Sequence, residues 1–297
     1  MMPLASRALT RRRHAEGDSE ITDKQRYERI RELLGDAVAT AVGGLHIHVG
    51  MPDPETAIRA FNGLRGHLAL LQALAANSPF RHGRDTGLAS AREVTIRGWP
   101  RSGVPRAVDD FDDFCTLASL LVRAAEVPDY TWFWWKLRPH PRLGTVEVRA
   151  LDAQSSLKDT ASLVALTHCL ALHAAREGFA GDVELPAELL EESSFRAARY
   201  GVRARLPDAD GTLRAVPELL EQALTLVEAE SRELDCSTEL DHLATMIDLG
   251  GGAGRQRAVY EIAGMDALLR ELTELTASHE RDEGETRRPA GMDSLRA

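Results

Sequence analysis

Residues 145–152, TVEVRALD, constrain the fold more than any other segment, because Val146 and Val148 alternate with Glu147 and Arg149. A period of two sends successive side chains to opposite faces. The pattern therefore specifies a strand with an apolar face against a core and a carboxylate beside a guanidinium on the other. The polar face admits two readings. Glu147 and Arg149 form a same-face ion pair, which spacing alone favours, or Glu147 ligates a divalent metal while Arg149 grips a phosphoryl oxygen, a task suited to a planar guanidinium.

A second short strand, Leu45 to Val49 in GLHIHVG, carries His46 and His48 two residues apart. Both imidazoles then share one face and can meet one metal or anion; two partly buried, hydrogen-bonded histidines are the equally weighted alternative. Thr131 to Leu137 and Thr145 to Leu151 read as strands joined through the turn RPHPRLG into a hairpin. Elsewhere the apolar period is helical. One helix runs from Tyr27 to Val42 with Thr22 and Asp23 as cap and Gly43-Gly44 as stop. The next starts at Pro54, is capped by Asp53, and buries Ile58, Phe61, Leu64, Leu68, Leu71 and Leu74. Phe111 to Val122 is a third.

Asn77 to Arg106 breaks the periodicity and reads as a long loop, with Glu93 to Arg97 its only strand-like piece. After Asp152 the chain reads as helices over 158–177, 186–200, 216–234, 238–247 and 256–275. The glycines at 250, 251, 252 and 254 lack a following GK[ST] and read as a flexible loop and not a phosphate cradle. Sparse strands followed by a helical second half define an α+β class. The expected organisation is an atypical, disordered start (1–20), one domain (21–276) and a charged flexible tail (277–297).

Composition narrows the partners. With 36 Lys plus Arg against 46 Asp plus Glu, the net charge of −10 excludes broad coating of nucleic acid. Arginines nonetheless crowd two stretches, Arg81, Arg84, Arg92, Arg97 and Arg101 in the first and Arg138 and Arg142 with His140 in the second. Such clusters read either as a pocket for an anion or as a solvated basic face. Trp132, Trp134 and Trp135 read as walls of a core or pocket. No apolar run reaches the ~20 residues that span a bilayer. Cys115, Cys169 and Cys236 are odd in number and far apart, which argues against a disulfide framework and for a reducing, cytoplasmic setting. Cys115 and Cys169 fall on apolar helical stripes and read as core filler.

Taken in order, GLHIHVGMPDPETAIRAFNGLR, ALAANSPFRHGRDTGLASAR, RGWPRSG, WWKLRPHPRLGTVEVRALDAQ and FRAARYG resemble the bacterial carboxylate-amine ligase family, the type 2 glutamate-cysteine ligases, from about Ile21 to about Leu275. The resemblance implies a glutamine-synthetase-like fold in which an antiparallel sheet forms an active-site funnel flanked by helices. It implies ATP-dependent γ-glutamyl ligation with magnesium, through an acyl phosphate that an amine such as that of cysteine attacks. It makes Glu147 and His46 metal ligands, gives His46 also a place on the nucleotide side, and sets Arg149 as the phosphoryl clamp. Arg84 and Arg92 become candidates for the amino-acid carboxylate or the phosphoryl group, with His48, Arg138 and His140 around the cofactor pocket. The family's opening GVEEE-type strand has no counterpart here, and Leu88 and Ala91 stand where aromatics are usual. A front shortened in this way removes metal carboxylates and exposes a sheet edge, which favours a homo-oligomer. The alternative is an impaired member that binds a nucleotide or a partner. A metal hydrolase built on the HxH strand ranks last, because the helical second half supplies no series of further ligands.

Overall fold

The computed structural model describes residues 25–35, 42–177, 185–208 and 210–286. The expected cap at Thr22 and Asp23, the start 1–20 and the end of the tail lie outside these residues.

The first described helix is α1 (Gln25–Leu34), and residues 36–41 of the helix expected up to Val42 lie outside the described residues. The strand β1 (Gly44–Gly50) follows, and then α2 (Pro54–Ala75). Asp53 caps α2 as its sequence requires, accepting the Thr56 N–H at 2.8 Å, with Pro54 in the first turn. Fifteen of its 22 residues are buried, so α2 is the spine of the molecule and not a surface helix. Phe61, Leu64, Leu71 and Leu74 are wholly enclosed. Each contributes about 1.5–3 kcal/mol through apolar burial.

The stretch read as a loop contains regular structure. A small hairpin pairs β2 (Phe80–Arg81) with β3 (Arg84–Asp85), and Glu93 to Arg97, expected to be strand-like, lies in a helix, α3 (Ala91–Arg97). Its cause is Ser90, whose hydroxyl accepts the Glu93 N–H at 3.2 Å. A capped first turn outweighs the β preference of Val94, Thr95 and Ile96.

The next helix, α4 (Phe111–Ala124), agrees with its periodicity. The expected strand over 131–137 opens instead with a short 3₁₀ turn at Tyr130–Trp132, capped by Asp129, and the strand itself, β4 (Leu137–His140), begins at Leu137. Arg26 and Arg29 of α1 lie over the Trp132 ring, 5.1 and 5.9 Å from its centroid, which docks α1 on that turn. The three tryptophans are buried, as expected of wall residues.

With β5 (Thr145–Asp152) these strands form an antiparallel sheet of order β1-β5-β4. Glu147 is paired with His48 on one side and Arg138 on the other, and the ladder between β1 and β5 shifts register between Leu45 and Ile47, at His46. Ile47, Val49, Leu137, Val146 and Val148 are buried among the helices behind the sheet.

The second half is helical, as expected, with α5 (Leu157–Glu177), α6 (Ala187–Tyr200), α7 (Val216–Leu226), α8 (Glu228–Glu233), α9 (Ser237–Asp248) and α10 (Gly251–Thr286); the helix expected over 216–234 is divided into α7 and α8, and a small hairpin of β6 (Arg205–Pro207) and β7 (Leu213–Ala215) stands where a loop was expected. Gly63 of α2 meets Ala174 of α5 so closely that a Cβ there would lie 2.5 Å from the alanine methyl, and the two long helices cross at this point. Gly251 and Gly252 are the first turn of α10 and not a loop. Gly252 has room for no side chain, because Asn77 fills the space where a Cβ would stand. The last helix kinks at Gly264, where φ is +76°.

Candidate functional site

The sheet has helices behind it and a charged face in front. Alternation places His46 and His48 of β1, Arg138 and His140 of β4, and Glu147 and Arg149 of β5 together there. Glu147 is the centre. It is 2% exposed, and its Oε2 accepts hydrogen bonds from Arg138 Nη2 at 2.7 Å and Nε at 3.2 Å. Its Oε1 accepts one from Arg149 Nη1 at 2.6 Å. His46 Nδ1 and His48 Nε2 each stand 3.4 Å from the same Oε1. One carboxylate thus holds two guanidiniums, the geometry that the same-face reading gave for Arg149 alone.

Arg138 is held further by the carbonyls of Tyr130, Thr131 and Phe133, all of which accept from its Nη1 at 2.9–3.3 Å. The 3₁₀ turn therefore wraps this guanidinium and withdraws it from solvent. His48 bonds through Nδ1 to Thr145 Oγ1 at 2.9 Å, and its ring meets that of His140 edge-on with centroids 5.6 Å apart. His140 in turn contacts Tyr130, whose hydroxyl lies 3.3 Å from its Nδ1.

The electrostatics follow from the crowding. Burial pushes the Glu147 carboxyl up, but Arg149 and Arg138 together hold it below its ordinary value. Burial also lowers the pKa of Arg149 against the pull of Glu147. His46 falls to about 4, through burial first and then Arg149, with Glu147 opposing. His140 is lowered by burial and by Arg138. At neutral pH the face thus presents a carboxylate, two guanidiniums and two neutral imidazoles, His46 and His140.

Two expected site arginines sit elsewhere. Arg92, on α3, is buried and hydrogen-bonds the backbone of β5, donating to the carbonyls of Arg149 at 2.9 Å and Ala150 at 3.2 Å. It pins α3 to the strand that carries the site. Gly44 allows this approach, since a Cβ there would lie 2.6 Å from Arg92 Nη2. Arg84 lies exposed on the β2–β3 hairpin, and no contact among the described residues joins it to Glu147. The remaining arginines engage partners one by one: Arg81 with Thr95, Arg97 with Glu191, Arg142 with Asp129, and Arg101 over the Trp134 ring. The expected arginine-lined pocket is therefore reduced to Arg138 and Arg149, with Arg92 behind them.

Sequence reasoning missed Asp152 and Lys136. Asp152, at the end of β5, accepts from Asn77 N at 2.9 Å and from the hydroxyls of Ser78 at 2.7 Å and Ser90 at 2.9 Å. Lys136 Nζ lies buried 2.9 Å from Glu93 Oε1 and 2.5 Å from Ser194 Oγ. Both stand beside motif residues, Asp152 closing TVEVRALD and Lys136 opening KLRPH, and that adjacency was the available signal.

The residues 3–287 match the model of glutamate-cysteine ligase family 2. This chain belongs to that family. A protein of Rubrobacter xylanophilus provisionally named glutamate--cysteine ligase 2-3 is 42% identical over 267 residues, 88% of this chain and 71% of that one. The glutamate--cysteine ligase of Haloferax volcanii is 38% identical over 234 residues, 77% of this chain and 62% of its own length. The chain thus spans about two thirds of the length of these curated relatives. A crystal structure of a bifunctional glutathione synthetase from Pasteurella multocida superimposes with a TM-score of 0.61 at 15% identity, covering 87% of this chain and 40% of the other, which is a likeness of fold. The α+β architecture of an antiparallel sheet with flanking helices is the one that the family resemblance implies.

Magnesium, which the family also implies, does not fit the described residues as they stand. Both Glu147 oxygens are taken by guanidiniums, and no group of three or more His, Cys, Asp or Glu side chains among the described residues is arranged to hold a metal. No helix among them is long and apolar enough to cross a membrane.

Proposed function

We propose that this chain is an ATP-dependent carboxylate-amine ligase of the cytoplasm that forms a γ-glutamyl amide bond. In such a reaction an oxygen of the glutamate γ-carboxylate attacks the terminal phosphorus of ATP and ADP leaves. The amine, for example that of cysteine, then attacks the acyl phosphate carbon, loses its proton, and expels phosphate. Membership of the family supports this reading.

The observation that carries it is the Arg138–Glu147–Arg149 array. Arg149 keeps 18% of its side chain exposed, and with one Nη on Glu147 it has donors left for phosphoryl oxygens in a fixed direction. Glu147 acts here as the orienting carboxylate. Neutral His46 and His140 offer hydrogen bonds at the rim without adding charge. Arg92 acts through the backbone of β5 as a positioning residue, and Arg84 takes no assigned step.

Purified chain supplied with ATP, magnesium, glutamate and cysteine should release ADP in a glutamate-dependent manner. No ADP above background with any amine overturns the reading. The absence of a three-ligand metal group among the described residues favours one alternative, binding of nucleotide without turnover. Calorimetry separates the two: heat on adding ATP with no ADP formed supports the alternative, and metal-dependent turnover excludes it.

A further inference from the structure

Two cysteines that lie far apart in the chain meet behind the sheet. Cys169 on α5 is fully buried, and its Sγ is 3.5 Å from that of Cys236, 67 residues away. The third cysteine, Cys115, is exposed on α4, which overturns its reading as core filler; the same reading holds for Cys169. The pair takes no part in the polar face of the sheet.

We propose that Cys169 and Cys236 form a reversible disulfide site, oxidised by a low-molecular-weight disulfide. Forming the bond requires the sulfurs to close from 3.5 Å to about 2.05 Å, a movement that side-chain rotation provides because α5 and α9 are already packed together. The two cysteines are not equivalent. Cys236 is partly exposed and stands at the N-cap of α9, the end of a helix where negative charge is best tolerated. Cys169 is enclosed, and burial together with its bond to Cys236 pushes its thiol up to about 12, a shift to which Glu230 adds.

The order of events follows. Cys236 reaches the reagent first: its thiolate attacks one sulfur of the small disulfide, expels one small thiolate and leaves a mixed disulfide at Cys236. Cys169 then attacks the Cys236 sulfur and expels the second small thiolate. The two protons lost by the cysteines end on the two small thiols, so one disulfide is reduced as one is formed. The bond closes a loop of 67 residues that contains α6, α7 and α8 and fastens α9 to α5. Constraining the unfolded chain in this way stabilises the folded one.

The test uses the full chain equilibrated in oxidised and reduced glutathione, quenched in acid, alkylated after denaturation and digested with trypsin. Peptides 159–176 and 233–255 are expected to appear as one cross-linked pair while the Cys115 peptide, 107–123, remains alkylated. Reductant should restore three alkylatable thiols. Oxidised chain is expected to melt above reduced chain, and Cys236→Ser, which places a favoured N-cap residue at the start of α9 and should fold, is expected to abolish both the cross-link and the difference in melting. The proposal is overturned if Cys169 stays alkylatable at every redox ratio, if oxidation stops at a glutathione adduct on Cys236, or if only Cys115 reacts. Oxidation that lowers the melting temperature also overturns it, because the bond would then be strained.

Discussion

At the scale of single residues, the site turns on the pairing of one buried carboxylate with two guanidiniums. Replacing Glu147 by Gln leaves Arg138, 3% exposed, without its charge partner. Breaking a buried pair on one side costs about 3–5 kcal/mol. We expect Glu147→Gln to lower the denaturant midpoint by a corresponding amount, measured by urea unfolding, and to reduce ligase turnover because Arg149 loses its anchor. A second expectation concerns acid. His46 and His67 both have pKa values lowered to about 4, in each case chiefly by burial. A folded-state value below the unfolded one means that the unfolded chain binds protons first. Their contribution is complete above about pH 6.5 and is lost as the pH falls from 6.5 to 4. Replacing His67 by Gln should flatten that part of the stability curve, as followed by thermal melts at each pH. Glu147 and Arg149 were legible in the sequence because a strand's period of two joins them. Arg138 was not legible as their partner, because it reaches Glu147 across the hairpin and only the register reveals that neighbour.

Elements were legible where their signals agreed. The segment over 54–75 has an aspartate cap, a proline at its start and a helical apolar period, and it is a helix. Strand Gly44–Gly50 follows its alternation in the same way. Errors arose where signals conflicted. Glu93–Arg97 is rich in β-branched residues, yet Ser90 followed three places later by Glu93 starts a helix, a cue that β propensity masked. The WFWW run reads as strand, but Asp129 bonds Thr131 and turns the chain. Ser90 serves twice, capping α3 and donating to Asp152. We expect Ser90→Ala to destabilise by about 2 kcal/mol, the sum of a lost cap and a buried carboxylate oxygen left short of a donor. Equilibrium unfolding checks this. Gly44→Ala should loosen α3 from β5 through Arg92, and hydrogen exchange at the α3 amides should rise with it.

Across the whole molecule, the second half is fastened to the first by a few buried polar joints. Asp159 on α5 accepts from His242 of α9 at 2.8 Å and from Arg255 of α10. Gln256 reaches the Asn77 carbonyl at 2.9 Å and its side-chain oxygen at 2.7 Å. We expect Asp159→Ala to speed proteolytic removal of the C-terminal helices while leaving the β1-β5-β4 sheet protected, as seen by limited digestion and mass spectrometry. None of these joints was legible, since each links positions that no local period relates.

The pairing of β1 with β5 also has a consequence in time. The two strands are separated in the chain by about a hundred residues. At synthesis rates of roughly 5–20 residues per second, β1 waits on the order of 5–20 s for its partner to emerge from the ribosome. During that interval α2 is complete, yet its buried circumference has neither the finished sheet nor α5 to cover it. The nascent chain must therefore pass through a stage in which the helix that ends as its buried spine is exposed. Chaperone occupancy should peak between the emergence of α2 and that of α5, and non-local pairing of this kind makes closure of the sheet a slow step of folding.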